Sequence, residues 1–76
     1  MEELILSIIA DTLDFEREEV YLEASLRNDL IIDSLDYIQI RLVLQDEFGI
    51  EITDDVAKKF ETIKDIVEYI KERKNK

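Results

Sequence analysis

The first hydrophobic pattern in the chain is helical and covers residues 2–13. Apolar side chains recur there at intervals of three and four residues, so they share one face of a helix. The residues of this face are Leu4, Ile5, Ile8, Ile9 and Leu13. From residue 14 to residue 33 the period fades, although Val20, Leu22, Leu26 and Leu30 still occur. The pattern predicts a first helix and then a long loop anchored on the core, and loops of this length are often functional.

A second helical pattern runs from residue 34 to residue 48 and stops at the only glycine in the chain. Gly49 stands where a left-handed residue commonly ends a helix, and Ile50 follows at the position of the accompanying hydrophobic contact. The predicted buried side of this helix consists of Leu35, Ile38, Leu42 and Val43.

Two N-terminal capping signals predict a third and a fourth helix. Thr53 precedes Asp54 and Asp55, and it therefore caps a short helix that extends to Phe60. Thr62 and Asp65 have the spacing of a capping box at the start of the last helix. Its apolar positions, spaced i, i+3, i+4 and i+7, are Ile63, Ile66, Val67 and Ile70.

No alternating pattern is long enough to predict a strand, so the predicted fold class is all-α. We expect a four-helix bundle with three longer helices and one short helix, and a long loop between the first two. Its predicted core is Leu4, Ile5, Ile8, Leu35, Ile38, Leu42, Phe48, Phe60, Ile63, Ile66 and Ile70. With 76 residues, 46% of them hydrophobic, the chain is expected to form a single domain over residues 1–76.

The charge balance restricts the kinds of partner. Twenty acidic residues against ten basic ones give a formal net charge of −10. This charge opposes binding to nucleic acid and to anionic lipid, and it favours protein partners with basic patches. No apolar run exceeds three residues, and no basic leader precedes one. We therefore expect a cytoplasmic protein, monomeric and without stable membrane insertion.

The missing residue types restrict the chemistry further. The chain has neither Cys nor His, so it lacks a thiolate nucleophile, cysteine zinc ligands and the commonest general base. A Ser-His-Asp hydrolase is excluded, because no imidazole is present to activate a serine. The chain therefore supplies few of the usual catalytic groups.

Ser34 is the most informative polar residue, because it opens the second helix. If Asp33 is the N-cap, Ser34 is the first helical residue and its hydroxyl lies beside unpaired N–H groups at the positive end of the helix. A phosphodiester at that position is stabilised, as anions are at helix N-termini. The alternative from local chemistry is that Ser34 or Asp33 only caps the helix. Either way, Ser34 is better interpreted as the substrate of another enzyme than as a nucleophile.

Clustered carboxylates raise the alternative of a calcium-binding module. Asp29, Asp33 and Asp36 are close in sequence, but an EF-hand loop requires a D-x-D-x-D-G pattern and a final Glu. No Gly lies in this window, and the spacing differs. The pattern favours weak surface binding of divalent cations over a dedicated metal site.

At these residues the chain resembles the acyl carrier proteins. The resemblance rests on the run Asp29-Leu30-Ile31-Ile32-Asp33-Ser34-Leu35-Asp36, with Leu42, Phe48 and Glu51-Ile52 behind it. A D-S-L tripeptide alone is weak, but its position after a long loop in an acidic chain of this length makes the match specific. The order of helices and loop extends the resemblance over essentially the whole chain.

The resemblance implies a carrier function and a covalent cofactor. In this family the motif serine, here Ser34, carries 4′-phosphopantetheine transferred from coenzyme A, with Asp33 as the helix cap beside it and Leu35 following. The arm ends in a thiol, which would allow a chain without Cys to form thioesters. The implied partners are a phosphopantetheinyl transferase and acyl-transferring, condensing or ligase enzymes with basic patches. The carrier itself is implied to catalyse nothing.

The resemblance also implies a partner-binding surface on the second and third helices. The positions that match it are Asp36, Tyr37, Gln39, Arg41, Asp46, Glu47, Asp54 and Asp55. For any single one of these residues, a solvated helix surface is an equal alternative.

Three positions depart from the family pattern. Ile31 stands where the family commonly has Gly, Gln39 where fatty-acid carriers often have Glu, and Arg41 where they often have an apolar residue. Because of these departures, a specialised stand-alone carrier of peptidyl, polyketide or D-alanyl cargo is an alternative to a carrier for fatty-acid biosynthesis. A separate alternative is an unmodified acidic helical interaction module of the same fold. We also expect that the bundle interior shelters part of an acyl chain.

Overall fold

Four α-helices form in residues 2–74, the part of the chain that the computed structural model describes. They are α1 (Glu2–Leu13), α2 (Ser34–Phe48), α3 (Asp54–Lys59) and α4 (Ile63–Lys74). This confirms the predicted all-α fold with three longer helices and one short one. Two details differ from the prediction. The third helix ends at Lys59 instead of Phe60, and one 3₁₀ turn, Arg17–Glu19, lies within the long loop. The domain predicted over residues 1–76 includes Met1, Asn75 and Lys76, which lie outside the described residues.

The predicted helix boundaries follow from local hydrogen bonds. Gly49 has a left-handed φ of 64°, and its N–H donates to the Gln45 carbonyl to end α2. The Thr53 hydroxyl accepts from the Val56 N–H at 3.3 Å, as expected for the cap of α3. At α4 the Asp65 N–H donates to Thr62 Oγ1 at 3.3 Å, while Asp65 Oδ2 accepts from the Thr62 N–H at 3.1 Å. All three boundary signals in the sequence are thus confirmed.

The buried side chains form one cluster to which the four helices and the long loop all contribute. The loop supplies Val20, Ala24, Leu26, Leu30 and Ile32, each of which is buried. Ile52, between α2 and α3, is also buried and anchors that connection on the core. Burial of this apolar surface stabilises the loop in one conformation, although it contains only a single turn of helix.

The buried face of α2 differs from the predicted one. Ile40, Leu44 and Phe48 are buried, whereas the predicted Leu35, Ile38, Leu42 and Val43 are exposed. At 3.6 residues per turn, Leu35, Ile38 and Leu42 lie roughly opposite the buried set, and Val43 lies between the two sides. Both sets have helical spacing, so periodicity alone could not show which set faces the core. The predicted buried face of α2 was therefore wrong.

The predicted face of α1 is rotated by a smaller amount. Leu4 is exposed and Ile8 is only partly buried, while Leu6 and Ala10 join Ile5 and Ile9 in the core. The other predicted core residues, from Phe48 onward, are buried as expected.

Backbone hydrogen bonds hold the long loop against the start of α4. The N–H groups of Ile63 and Lys64 lie in the first turn of α4, where no intrahelical acceptor exists. They donate instead to the loop carbonyls of Ala24, at 3.2 Å, and Leu22, at 2.9 Å. The Leu26 N–H returns a bond to the Glu61 carbonyl at 2.9 Å. The part of the loop that leads to Ser34 is thereby held against the start of α4 at residues 22–26, and at its other end it continues directly into α2.

Within residues 2–74, no helix has the length and apolar character needed to cross a membrane.

Candidate functional site

Ser34 is the first residue of α2, and its side chain is exposed. Asp33 precedes it with an extended backbone and caps the helix, since Asp33 Oδ1 accepts from the Asp36 N–H at 3.0 Å. Asp36 Oδ2 in turn accepts from the Asp33 N–H at 3.2 Å, which completes a reciprocal capping box. The carboxylates of Asp33 and Asp36 therefore do the capping.

This division of roles leaves the Ser34 hydroxyl exposed at the positive end of a fifteen-residue helix. Among residues 2–74, we find no hydrogen bond that occupies it. The local alternative in which Ser34 itself serves as the cap is therefore not what the structure adopts. A phosphate ester on this oxygen would meet N–H groups of the first helical turn, which favour an anion.

The three carboxylates considered as a calcium loop also have local structural roles. Asp33 and Asp36 cap α2, and Asp29 Oδ2 accepts from the Ser25 N–H at 2.7 Å. No cluster of three or more His, Cys, Asp or Glu residues suited to a metal ion occurs within residues 2–74.

A surface groove of about 300 Å³ lies beside Ser34, between the long loop, α2 and α3. Besides Ser34, its lining consists of Arg27, Tyr37, Ile38, Asp54 and Lys58. Tyr37 is half-buried, and its hydroxyl donates to the Phe60 carbonyl at 3.4 Å, which joins α2 to the end of α3. Sequence reasoning did not identify Arg27 or Lys58, because only the folded loop and α3 bring them to the serine.

Two of the predicted partner-binding residues bind each other. The Arg41 guanidinium forms an ion pair with Asp54, linking the middle of α2 to the first turn of α3. Arg41 is mostly buried in this arrangement, whereas Asp54 stays largely exposed. That Arg41 and Asp54 belong to a partner-binding surface stays a prediction. Their ion pair already compensates part of their charge within the chain.

The remaining positions of the predicted partner surface vary in exposure. Asp36 and Tyr37 are half-buried and engaged in the contacts above. The exposed positions are Gln39, Asp46, Glu47 and Asp55.

An exposed apolar stripe runs along α2 from the serine. It consists of Ile31, Leu35, Ile38 and Leu42, which are 77%, 63%, 42% and 53% exposed. The last three share one face of α2, opposite the face that packs on the core. Four large apolar residues in a row on a solvent-facing side are unusual for a small acidic protein, and such patches mark interaction sites.

Ile31, three residues before Ser34, has a left-handed backbone. Its φ of 51° is unfavourable for a β-branched residue, because the Cβ then approaches the following carbonyl. The neighbouring hydrogen bond from the Ile32 N–H to the Leu26 carbonyl, at 3.0 Å, holds the turn in this conformation. The strained residue is thus kept beside Ser34 with its side chain in solvent.

We expect the Ile31→Gly variant to be more stable than the wild type by roughly 1 kcal/mol. Relief of the left-handed strain is worth about 1–2 kcal/mol, and the extra freedom of glycine in the unfolded chain offsets part of it. Urea unfolding monitored by circular dichroism measures the change. Asp14 provides the matched control, because it is also exposed and has a φ of 62°. Asp tolerates this conformation better, so Asp14→Gly should gain less. A destabilised Ile31→Gly variant would show that this side chain makes a stabilising contact.

Comparisons with known proteins agree with the fold and with the inferred cofactor. A family model described as the phosphopantetheine attachment site matches residues 3–70. An acyl carrier protein of Thermosynechococcus vestitus is 41% identical over 68 residues, which cover 90% of this chain and 84% of that protein. A solved structure described as an acyl carrier protein of Mycobacterium tuberculosis is 30% identical, with a TM-score of 0.86 over 95% of this chain and 96% of that one.

These matches extend over nearly the full length of the chain and confirm both the resemblance and the cofactor, 4′-phosphopantetheine, inferred from the motif around Ser34. The exposed Ser34 hydroxyl, at a helix start that other residues cap, fits covalent attachment of that group. The chain belongs to the acyl carrier proteins, the family of small carriers with a phosphopantetheine attachment site.

Proposed function

We propose that Ser34 carries the 4′-phosphopantetheine arm, and that the chain bears acyl intermediates on it as thioesters for enzymes of fatty-acid or related biosynthesis. The observation that carries the assignment is the exposed Ser34 hydroxyl at the N-terminus of α2, with capping left to Asp33 and Asp36. The arm supplies the thiol that forms the thioester, because the chain has no Cys to provide one.

The residues around Ser34 have separate roles in this function. Asp33 and Asp36 fix the first turn of α2, so that the hydroxyl is presented in one orientation to a transferase. The N–H groups of that turn stabilise the negative charge of the phosphodiester. Leu35 follows on the outer side, where its exposed side chain is available to an approaching enzyme.

Partner enzymes would meet two kinds of surface next to the arm. The exposed apolar stripe on α2 offers contact area, and desolvated apolar residues supply much of the energy of a protein interface. The acidic residues Asp46 and Glu47 are exposed near the other end of α2, and Asp55 is exposed on α3; they would steer basic patches toward this side of the protein. Gln39 lies on the same helix as a polar contact.

The test is to load the protein and weigh it. The wild type is incubated with coenzyme A, Mg²⁺ and a broad-specificity phosphopantetheinyl transferase, and intact-protein mass spectrometry follows. We expect the mass of one phosphopantetheine to be gained, and tandem fragmentation to place it on Ser34. Loading on another residue, or none under conditions that load a control carrier, would overturn the proposal. The second result would favour an unmodified interaction module.

The Arg41–Asp54 ion pair favours a second candidate, a specialised stand-alone carrier of peptidyl, polyketide or D-alanyl cargo. It places charge between α2 and α3, where fatty-acid carriers often have an apolar residue. The loaded protein distinguishes the two. A long acyl chain attached to the arm should shift the amide NMR signals of buried residues such as Leu44 and Ile66 if the interior receives it. Unchanged core signals favour the specialised carrier.

A further inference from the structure

Cationic side chains gather beside Ser34 although the chain as a whole is strongly acidic. Arg27 and Lys58 line the groove that contains Ser34. The same two residues also line an adjoining groove of about 380 Å³, together with Lys59. Its other lining residues are Ser25, Asn28 and Glu61. The two grooves therefore meet at Arg27 and Lys58, one from the long loop and one from α3.

These cations have no carboxylate partner in the described structure. The ion pairs found within residues 2–74 are Arg17–Glu3 and Arg41–Asp54. Asp54, the acidic residue that lines the groove of Ser34, is thus already paired with Arg41. The chain has a net charge of −10, yet neither Arg27 nor Lys58 forms an ion pair with a carboxylate within residues 2–74. Their positive charges therefore make this part of the surface locally favourable for an anion.

We propose that Arg27 and Lys58 bind the phosphodiester of the arm and hold its first segment in the groove against Tyr37 and Ile38. This inference rests on the attachment at Ser34 proposed above. Guanidinium and ammonium groups both bind phosphate oxygens well, and the helix N-terminus adds a third favourable contribution. The cations also offset repulsion from the capping carboxylates of Asp33 and Asp36.

The groove matches the order of groups along the arm. The phosphodiester comes first, next to Ser34, and a carbon bearing two methyl groups follows before the first amide. The exposed side chain of Ile38 and the ring of Tyr37 offer an apolar wall to those methyl groups. The arm would then leave the serine in a preferred direction, along α3, instead of sampling all directions equally.

The test uses the loaded full-length protein and NMR spectroscopy. In the Arg27→Gln/Lys58→Gln variant we expect the order parameter of the arm's first amide, measured with a ¹⁵N-labelled arm, to fall below about 0.6, the value of flexible segments. The ³¹P shift of the phosphodiester should move toward that of the same phosphopantetheinyl-serine diester in the urea-unfolded protein. The matched control is Lys64→Gln/Lys71→Gln, which removes two exposed lysines from α4, away from both grooves, with the same change in net charge.

Two results would overturn the proposal. The first is an arm equally ordered in the wild type and in the groove variant, and the second is an equal loss of order in the control. The wild type alone gives an independent measurement, which does not depend on the variants being loaded. Attachment of the arm should shift the side-chain Nε–Hε signal of Arg27 and the amide of Lys58, but not the amides of Lys64 and Lys71. A wild type that gains no phosphopantetheine overturns the proposed attachment at Ser34. A loaded wild type without these shifts overturns only the proposed binding of the arm in the groove.

Discussion

Replacing Ser34 with alanine is expected to abolish phosphopantetheine loading entirely, with no mass gained under conditions that load the wild type. The substitution removes the oxygen to which the phosphorus would be bonded, and no cysteine is present as a substitute nucleophile. The helix should remain intact, because the cap is Asp33 and not Ser34. Alanine has the highest helix propensity, so we expect the free energy of unfolding to change by less than about 0.5 kcal/mol.

Ser7→Ala provides the matched control for this experiment. Ser7 is an exposed serine on α1, so the variant removes the same hydroxyl from a helix without touching the site. It should load as completely as the wild type. Residual loading of Ser34→Ala would place the attachment elsewhere. A large loss of stability in that variant would instead show that the Ser34 hydroxyl has a structural role.

The helix boundaries and the exposed position of Ser34 at the start of α2 could be predicted from the sequence, because local chemistry determines them. Asp33, Thr53 and Thr62 accept hydrogen bonds from N–H groups only three residues away, and Gly49 ends α2 through its own backbone conformation. Interactions of this range are visible as short patterns of residue types. The motif around Ser34 is of the same kind.

The surroundings of the site could not be predicted, because they depend on tertiary packing. Arg27 and Lys58 belong to a loop and to a short helix, and they reach Ser34 only after the loop has docked on α4. Arg41 was expected on the partner surface, yet Asp54 of α3 binds it. No pattern within a single helix encodes these contacts. The left-handed conformation of Ile31 could not be predicted either, because it depends on how the loop packs.

Substitutions on the two apolar faces of α2 should affect stability differently. Leu44→Ala tests the buried face. Leu44 is completely buried, so its truncation removes packing contacts and leaves a cavity. The expected loss is about 2–5 kcal/mol in the free energy of unfolding. In a domain of this size that corresponds to a fall in melting temperature of at least about 10 °C. Thermal and urea unfolding, followed by circular dichroism, measure both quantities.

Leu42→Ala is the matched control, since it makes the same chemical change two residues away on a side chain that is 53% exposed. Its effect on the free energy of unfolding should stay within about 0.5 kcal/mol. If both variants lost stability equally, Leu42 would belong to the core and the exposed stripe would have another explanation. If only Leu44→Ala does so, the apolar residues beside Ser34 are not needed to hold the bundle together. Their hydrophobic surface is then free to be buried in complexes with the enzymes that load and unload the arm, and Leu42→Ala should weaken those complexes while leaving the fold unchanged.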